Sequence, residues 1–219
     1  MTENSGEAKR EYHARKRILV TGGAGFVGSH LCEALIAAGH EVLCADNFFT
    51  GNKANIERLL DHPYFELIRH DVTFPLYVEV DEIYNLACPA SPIHYQHDPV
   101  QTLKTSVHGA INMLGLAKRL KARILQASTS EVYGTARFVP ITEEHPLQGQ
   151  SPYSATKIAA DQLAYSFYAS FGLPVVIARP FNTYGPRQSA RAVIPTIITQ
   201  IANGQRQIKL GAVSPTRDF

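Results

Sequence analysis

The 219-residue sequence has little cysteine, no long apolar run and no concentration of charge of either sign. Its three cysteines, Cys32, Cys44 and Cys88, lie far apart and form no CxxC pair. An odd, scattered set argues against a disulfide framework and predicts a reducing, cytoplasmic setting. The nine histidines show no HExxH or comparable ligand spacing, so no metal centre is expected. No apolar stretch reaches the roughly 18 residues of a membrane span, so no membrane partner is expected. The 21 basic and 19 acidic side chains leave a net charge of +2. They form no basic stripe in the body of the chain, which argues against nucleic acid as a partner. There is no internal repeat and no low-complexity tract.

Residues 1–16 are polar and charged and lack the apolar core of a signal peptide. They are read as a mobile leader whose "ARKR" end is a solvated flank. From there the chain alternates short β-branched runs with helical patterns. Strands are expected at 17–22, 40–46, 64–71, within 79–87, at 122–128 and at 174–180. Helices are expected at 28–39, 52–62, 99–120 and 152–171. This alternation predicts an α/β fold, a doubly wound parallel sheet covered by helices on both faces. Past Pro180 comes a polar loop, then a helical pattern in "VIPTIITQIANG" and a short strand in "RQIKLG".

The stretch "TGGAGFVGSH" places Gly22, Gly25 and Gly28 directly after a strand and at a helix start. Glycines there let backbone N–H groups approach a pyrophosphate, and the helix N-terminus favours its charge. The spacing G-x-x-G-x-x-G departs from the general G-x-G-x-x-G fingerprint, but the strand–turn–helix context is the required one. Asp46 ends the second strand, 18 residues beyond Gly28, where a carboxylate would bind adenosine ribose hydroxyls. It would repel an extra phosphate, which favours NAD over NADP. The alternative is that Asp46 caps the "NFFTG" loop. Asp71, ending the third strand, is read as an adenine neighbour or a turn residue.

The strand at 122–128 runs into "STSEVYG", so Ser128, Thr129 and Glu131 are placed where strand ends meet the ligand crevice. In "SPYSATK", Ser151 suits an N-cap and Pro152 the first helical position. Tyr153 and Lys157 then share one helix face. A tyrosine with a pKa of about 10 is a poor base at neutral pH, and a neighbouring ammonium group lowers that value. Tyr153 is therefore a candidate base for a sugar hydroxyl, with Lys157 tuning it.

Together the motifs "TGGAGFVG", "DNFFTG", "HDV", "NLAC", "STSEVYG", "YSATK" and "RPFNTYGPR" resemble the extended short-chain dehydrogenase/reductases that act on nucleotide sugars, over residues 17–219. Residues 17–134 resemble UDP-glucuronic acid decarboxylases. Residues 135–219 look more like nucleotide-sugar 4,6-dehydratases. Matched by motif, the resemblance implies NAD contacts at Gly22, Gly25, Phe26, Val27, Gly28, Asp46, Asn47, Asp71, Val72, Leu86, Ala87, Ser128, Tyr153 and Lys157. It implies Tyr153, Lys157, Thr129 and Glu131 as the catalytic set. It implies substrate contacts at Pro89, Thr129, Asn182, Arg187 and Arg191.

Both relatives open by oxidising C4 of the sugar. The expected activity is UDP-glucuronate decarboxylation to UDP-xylose. The alternatives are a 4,6-dehydratase or 4-epimerase, and an NAD-binding remnant without turnover. The resemblance divides the chain into a Rossmann domain at 17–182 and the start of a substrate-binding part at 183–219. Family members continue past "TRDF", so a C-terminally truncated chain is expected. It also implies a homodimer built on the helices at 99–120 and 152–171.

Overall fold

The computed structural model describes residues 15–90, 95, 97–212 and 214. The leader up to residue 14 and the closing segment from 215 lie outside the described residues.

Six strands form one wholly parallel sheet: β1 (Arg17–Thr21), β2 (Glu41–Asp46), β3 (Phe65–Arg69), β4 (Glu82–Asn85), β5 (Arg123–Ala127) and β6 (Val175–Ala178). Their order is β3-β2-β1-β4-β5-β6. The chain leaves β1 toward one side of the sheet and returns at β4 toward the other. That reversal opens a crevice at the carboxyl ends of β1 and β4, the place where doubly wound folds take ligands.

Alternate residues of the inner strands feed two separate cores, as the strand period of two requires. Leu19, Leu43, Ile83 and Ile124 face α2 (Pro99–Leu120) and α3 (Pro152–Phe171), meeting Met113, Leu114, Ala117, Ala160 and Ala164. Ile18, Val20, Val42 and Cys44 face α1 (Phe26–Ala37), meeting Cys32, together with Ile56 and Leu59. Each fully buried leucine or isoleucine contributes about 1.5–3 kcal/mol, so the two cores hold the sheet from both sides.

Helix ends follow their local chemistry. At α3 the Ser151 hydroxyl accepts from the Ser154 N–H at 3.0 Å, and the Ser154 hydroxyl accepts from the Ser151 N–H at 3.0 Å. Pro152 occupies the first turn, and Gly172 closes the helix at φ +64°. At α2 the Asp98 carboxylate caps the Gln101 N–H at 2.8 Å.

Two expectations fail. The helix expected at 52–62 is instead a pair of 3-10 turns, Lys53–Asn55 and Glu57–Leu59. Asn52 N–H and the Asn55 amide both bond to the Ala24 carbonyl, which ties the segment to the glycine loop. Its fully buried Ile56 and mostly buried Leu59 are three apart, the 3-10 spacing. The strand expected in "RQIKLG" is exposed, irregular chain, because no strand among the described residues lies beside it to pair. The preceding helix, α4 (Val193–Ala202), forms as expected but buries none of its residues.

Candidate functional site

All the candidate residues line one cleft of about 2250 Å³ over the carboxyl ends of the strands. Its floor at one end is the glycine loop. Gly22 sits at φ +70°, and a Cβ there would lie 3.0 Å from the Ala87 backbone. A Cβ on Gly28 would run into the Gly22 carbonyl oxygen. Gly25 is the N-cap of α1 and supplies no side-chain cap. The opening N–H groups of Phe26, Val27 and Gly28 lack intrahelical acceptors, as at any helix start. The loop is thus a backbone cradle that side chains would fill, and it fits a pyrophosphate at a helix N-terminus.

Asp46 caps the start of the "NFFTG" loop, the alternative weighed for it, through the Phe48 N–H. It is buried at the end of β2 and faces the cleft. One carboxylate oxygen accepts from Ala24 N–H at 3.0 Å and the other from Phe48 N–H at 2.8 Å. Burial pushes its pKa up, against the pull of those two bonds. Each oxygen retains lone pairs for a ligand hydroxyl. Asp71 accepts from the Thr73 N–H and hydroxyl at 2.9 and 2.8 Å and from the Asn47 amide at 3.2 Å. Partial burial raises its pKa, but these hydrogen bonds outweigh it and hold the carboxyl below its ordinary value. Val72 is buried beside Gly109 of α2, and Leu86 and Ala87 form the wall against Gly22.

At the other end, α3 delivers Tyr153 in its first turn and Lys157 one turn later; both are buried. Lys157 Nζ donates to the Ala127 carbonyl at 3.0 Å and lies 5.9 Å from the Tyr153 ring centre. Tyr95 stacks on Tyr153 with ring centres 4.7 Å apart. Burial first, then the Cys88 thiol and the Glu131 carboxylate, push the Tyr153 phenol well above its ordinary pKa. A hydrogen bond with the Thr129 hydroxyl pulls the other way. Thr129 caps the 3-10 turn Ser130–Tyr133, which carries Glu131 at the cleft edge.

Of the remaining candidates, Pro89 is buried in the cleft wall, while Asn182 and Arg191 are exposed on the loop after β6. Arg187, at φ +69°, is already engaged: its guanidinium donates to Glu33 and to the Ser29 hydroxyl of α1. The loop is docked there further by His30 against the Pro186 carbonyl at 3.0 Å.

Two residues not singled out from the sequence belong to the site. Asp161 lies one turn beyond Lys157 and is 1% exposed; it accepts from the Ser128 hydroxyl and from Arg179 Nε, both at 2.9 Å. Arg179 also reaches the Tyr133 hydroxyl at 3.0 Å. Burial pushes the Asp161 carboxyl up, against the pull of these two partners. With its proton directed at Asp161, Ser128 presents only lone pairs to the cleft. The i+4 spacing from Lys157 was the available signal for Asp161.

Residues 19–219 match the family described as GDP-mannose 4,6 dehydratase. The chain belongs to that family. Curated relatives include UDP-glucuronic acid decarboxylase 1 of Xenopus tropicalis, 49% identical over 212 residues. That alignment covers 94% of this chain and 50% of the relative. UDP-glucuronic acid decarboxylase 6 of Arabidopsis thaliana is 49% identical over 216 residues, 95% of this chain and 63% of the relative. The decarboxylase likeness therefore continues past residue 135. The chain spans about half to two thirds of the length of these relatives. Among solved structures, dTDP-glucose 4,6-dehydratase from Bacillus anthracis, in complex with NAD, is 32% identical with a TM-score of 0.78. It is covered over 62% of its length and 87% of this chain. UDP-N-acetylglucosamine 4-epimerase from Methanobrevibacter ruminantium is 30% identical with a TM-score of 0.82, covering 87% of this chain and 64% of that one.

Proposed function

We propose that the chain is the NAD-binding and catalytic portion of a nucleotide-sugar lyase, with UDP-glucuronate as substrate and decarboxylation to UDP-xylose as reaction. The observation that carries the reading is the convergence of the glycine cradle, Asp46, Tyr153 and Lys157 on one cleft. The decarboxylase relatives at 49% identity support the substrate.

In this reading Gly22, Gly25 and Gly28 admit the pyrophosphate of NAD, and Asp46 accepts from its adenosine ribose. Asn47, Asp71, Val72, Leu86 and Ala87 line the adenine and nicotinamide sides. Bound NAD supplies the hydride acceptor at the sugar carbon, and its positive ring favours the Tyr153 phenolate. Tyr153 takes the proton of the C4 hydroxyl. Lys157 holds its ammonium beside the phenolate and the ribose. Thr129 donates to the C4 oxygen, and Glu131 orients the sugar at the open edge. A ketone at C4 stands β to the substrate carboxylate, which leaves as CO2; a proton would then replace it at C5, and return of the hydride to C4 with the proton held by Tyr153 would give UDP-xylose and restore the oxidised dinucleotide. Asn182, Arg191 and the loop carrying Arg187 contact the nucleotide diphosphate, for which guanidinium groups suit paired oxygens. Arg187 must then release or share Glu33.

A 4,6-dehydratase is the second reading, favoured by the family description and the dehydratase neighbours. Incubation with UDP-glucuronate and NAD+ separates the two. Release of CO2 with a UDP-pentose is expected. A 4-keto-6-deoxy sugar from another nucleotide sugar, with no CO2 from UDP-glucuronate, would replace the decarboxylase by the dehydratase. Binding of NADH with no turnover of any nucleotide sugar would leave only a cofactor-binding remnant. We further assign residues 17–182 to the cofactor domain and 183 onward to the substrate side. The thiols Cys32, Cys44 and Cys88, all free, suit a reducing cytoplasm. Among the described residues no helix is long and apolar enough to cross a membrane.

A further inference from the structure

Beneath the cleft floor a line of buried polar side chains crosses three adjacent strands. The backbone N–H groups of Leu86 and Ala87 both donate to the Thr21 hydroxyl oxygen, at 3.1 and 3.3 Å. The Thr21 hydroxyl sends its own proton to Asn85 Oδ1 at 2.7 Å. Asn85 Nδ2 donates to Gln126 Oε1 at 2.8 Å. Gln126 Nε2 donates to the Ala127 carbonyl oxygen at 3.2 Å. That same carbonyl accepts from Lys157 Nζ at 3.0 Å.

Thr21, Asn85 and Gln126 are 0%, 4% and 2% exposed, at or next to the ends of β1, β4 and β5. Each bond's direction follows from the one before. The two incoming N–H groups leave the threonine only as a donor onward, which fixes how both amides point. Burying such groups is costly unless every member is satisfied, and here the line is satisfied from end to end. Accepting a bond makes each amide a stronger onward donor, so Gln126 Nε2 holds the Ala127 carbonyl firmly and fixes the direction in which its second lone pair meets Lys157.

We propose that Thr21, Asn85 and Gln126 form a positioning relay that holds Lys157 in place through the Ala127 carbonyl and ties it to the Leu86–Ala87 wall beside Gly22. None of the three need touch substrate; they act through Lys157. The inference rests on the proposed role of the Tyr153–Lys157 pair, and its test is separable from that role.

The test reads the Lys157 ammonium protons directly. In 15N-lysine-labelled protein their resonance is assigned by its loss in Lys157→Met, and exchange with water is measured in wild type, Gln126→Met and Thr21→Val. Loss of a bond to the anchoring carbonyl should speed exchange roughly fivefold in Gln126→Met, the worth of one ordinary hydrogen bond. Thr21→Val, which is isosteric, should speed it by less. Both should lower kcat, and Gln126→Met should change NADH affinity less than kcat. Unchanged exchange in the folded variants overturns the relay, even where the melting temperature falls, because a merely structural network would not move Lys157. If Gln126→Met does not fold, Thr21→Val decides alone. A wild-type protein without turnover defeats the proposed function but leaves the exchange comparison decisive for the relay.

Discussion

Tyr153 must lose a proton to act as a base, and its surroundings in the chain oppose that. Burial, Cys88 and Glu131 all raise its pKa, so the charges that lower it have to come from Lys157 and the bound dinucleotide. Tyr153→Phe keeps the ring that stacks on Tyr95 and removes only the hydroxyl. It should cost about 10²–10⁴-fold in kcat, the range for a lost general base, with NADH affinity retained by fluorescence titration. The sign of the Glu131 effect gives a second expectation. Its carboxylate raises the Tyr153 pKa, so Glu131→Gln lowers it and the phenolate forms at lower pH. The acid limb of kcat/KM against pH should therefore move to lower pH, whatever happens to the maximum; an unmoved or raised limb contradicts it. At this scale the candidate site was legible as a set of residues brought to one cleft. The glycines, Asp46, Tyr153 and Lys157 announce themselves by order and spacing along the chain, and they converge on one cleft. Arg179 and Gln126 were not legible in that way, and Asp161 only by its i+4 spacing from Lys157. Their partners lie 18 to 33 residues away or on a neighbouring strand, and only folding brings them together.

The element that carries the pair is held at its first turn. Ser151 and Ser154 satisfy N–H groups that a helix start leaves open, and Tyr153 sits between them. Ser151→Ala should lower stability by about 1 kcal/mol, read as a lower urea midpoint at unchanged slope, and Ser151→Asn should restore most of it. Because fraying of that turn also moves Tyr153, kcat should fall with the midpoint and recover with the asparagine. A stability loss with kcat untouched would mean that the turn is held from elsewhere. The same cap chemistry explains which elements could be read from the sequence. Ser-Pro at one end and glycine at the other bound α3 at 152 and 171, as expected. The segment at 52–62 misled because Asn52 and Asn55 bond across to Ala24 instead of along a helix. "RQIKLG" misled because alternation marks a strand only where a neighbour exists to pair with it.

At the scale of the whole molecule, the outer faces of α2 and α3 leave large apolar side chains exposed on one flank. Ile111 is 45% exposed, and Tyr165, Tyr168 and Phe171 are 59%, 57% and 55% exposed. Lys118 of α2 lies over the Phe171 ring at 3.5 Å, so the two helices meet at their C-terminal ends. Exposed apolar side chains on two paired helices suit a two-fold partner presenting the same face, which makes a four-helix bundle. The expected assembly is a homodimer, seen as twice the chain mass in sedimentation equilibrium. Replacing Ile111 and Phe171 together by glutamate places like charges against each other across the two-fold axis while touching no fully buried core residue. The variant should sediment as a monomer with an unchanged circular dichroism spectrum. It should also lose stability relative to wild type in a way that grows with wild-type concentration, since association stabilises by mass action. A wild-type chain that sediments as a monomer at micromolar concentration, or a double variant that still pairs, would remove this face as the interface. Because α3 carries Tyr153 and Lys157 on its inner side, pairing would also stiffen the helix that positions them. The monomeric variant should therefore turn over more slowly than the dimer, with its NADH affinity changed less than its kcat.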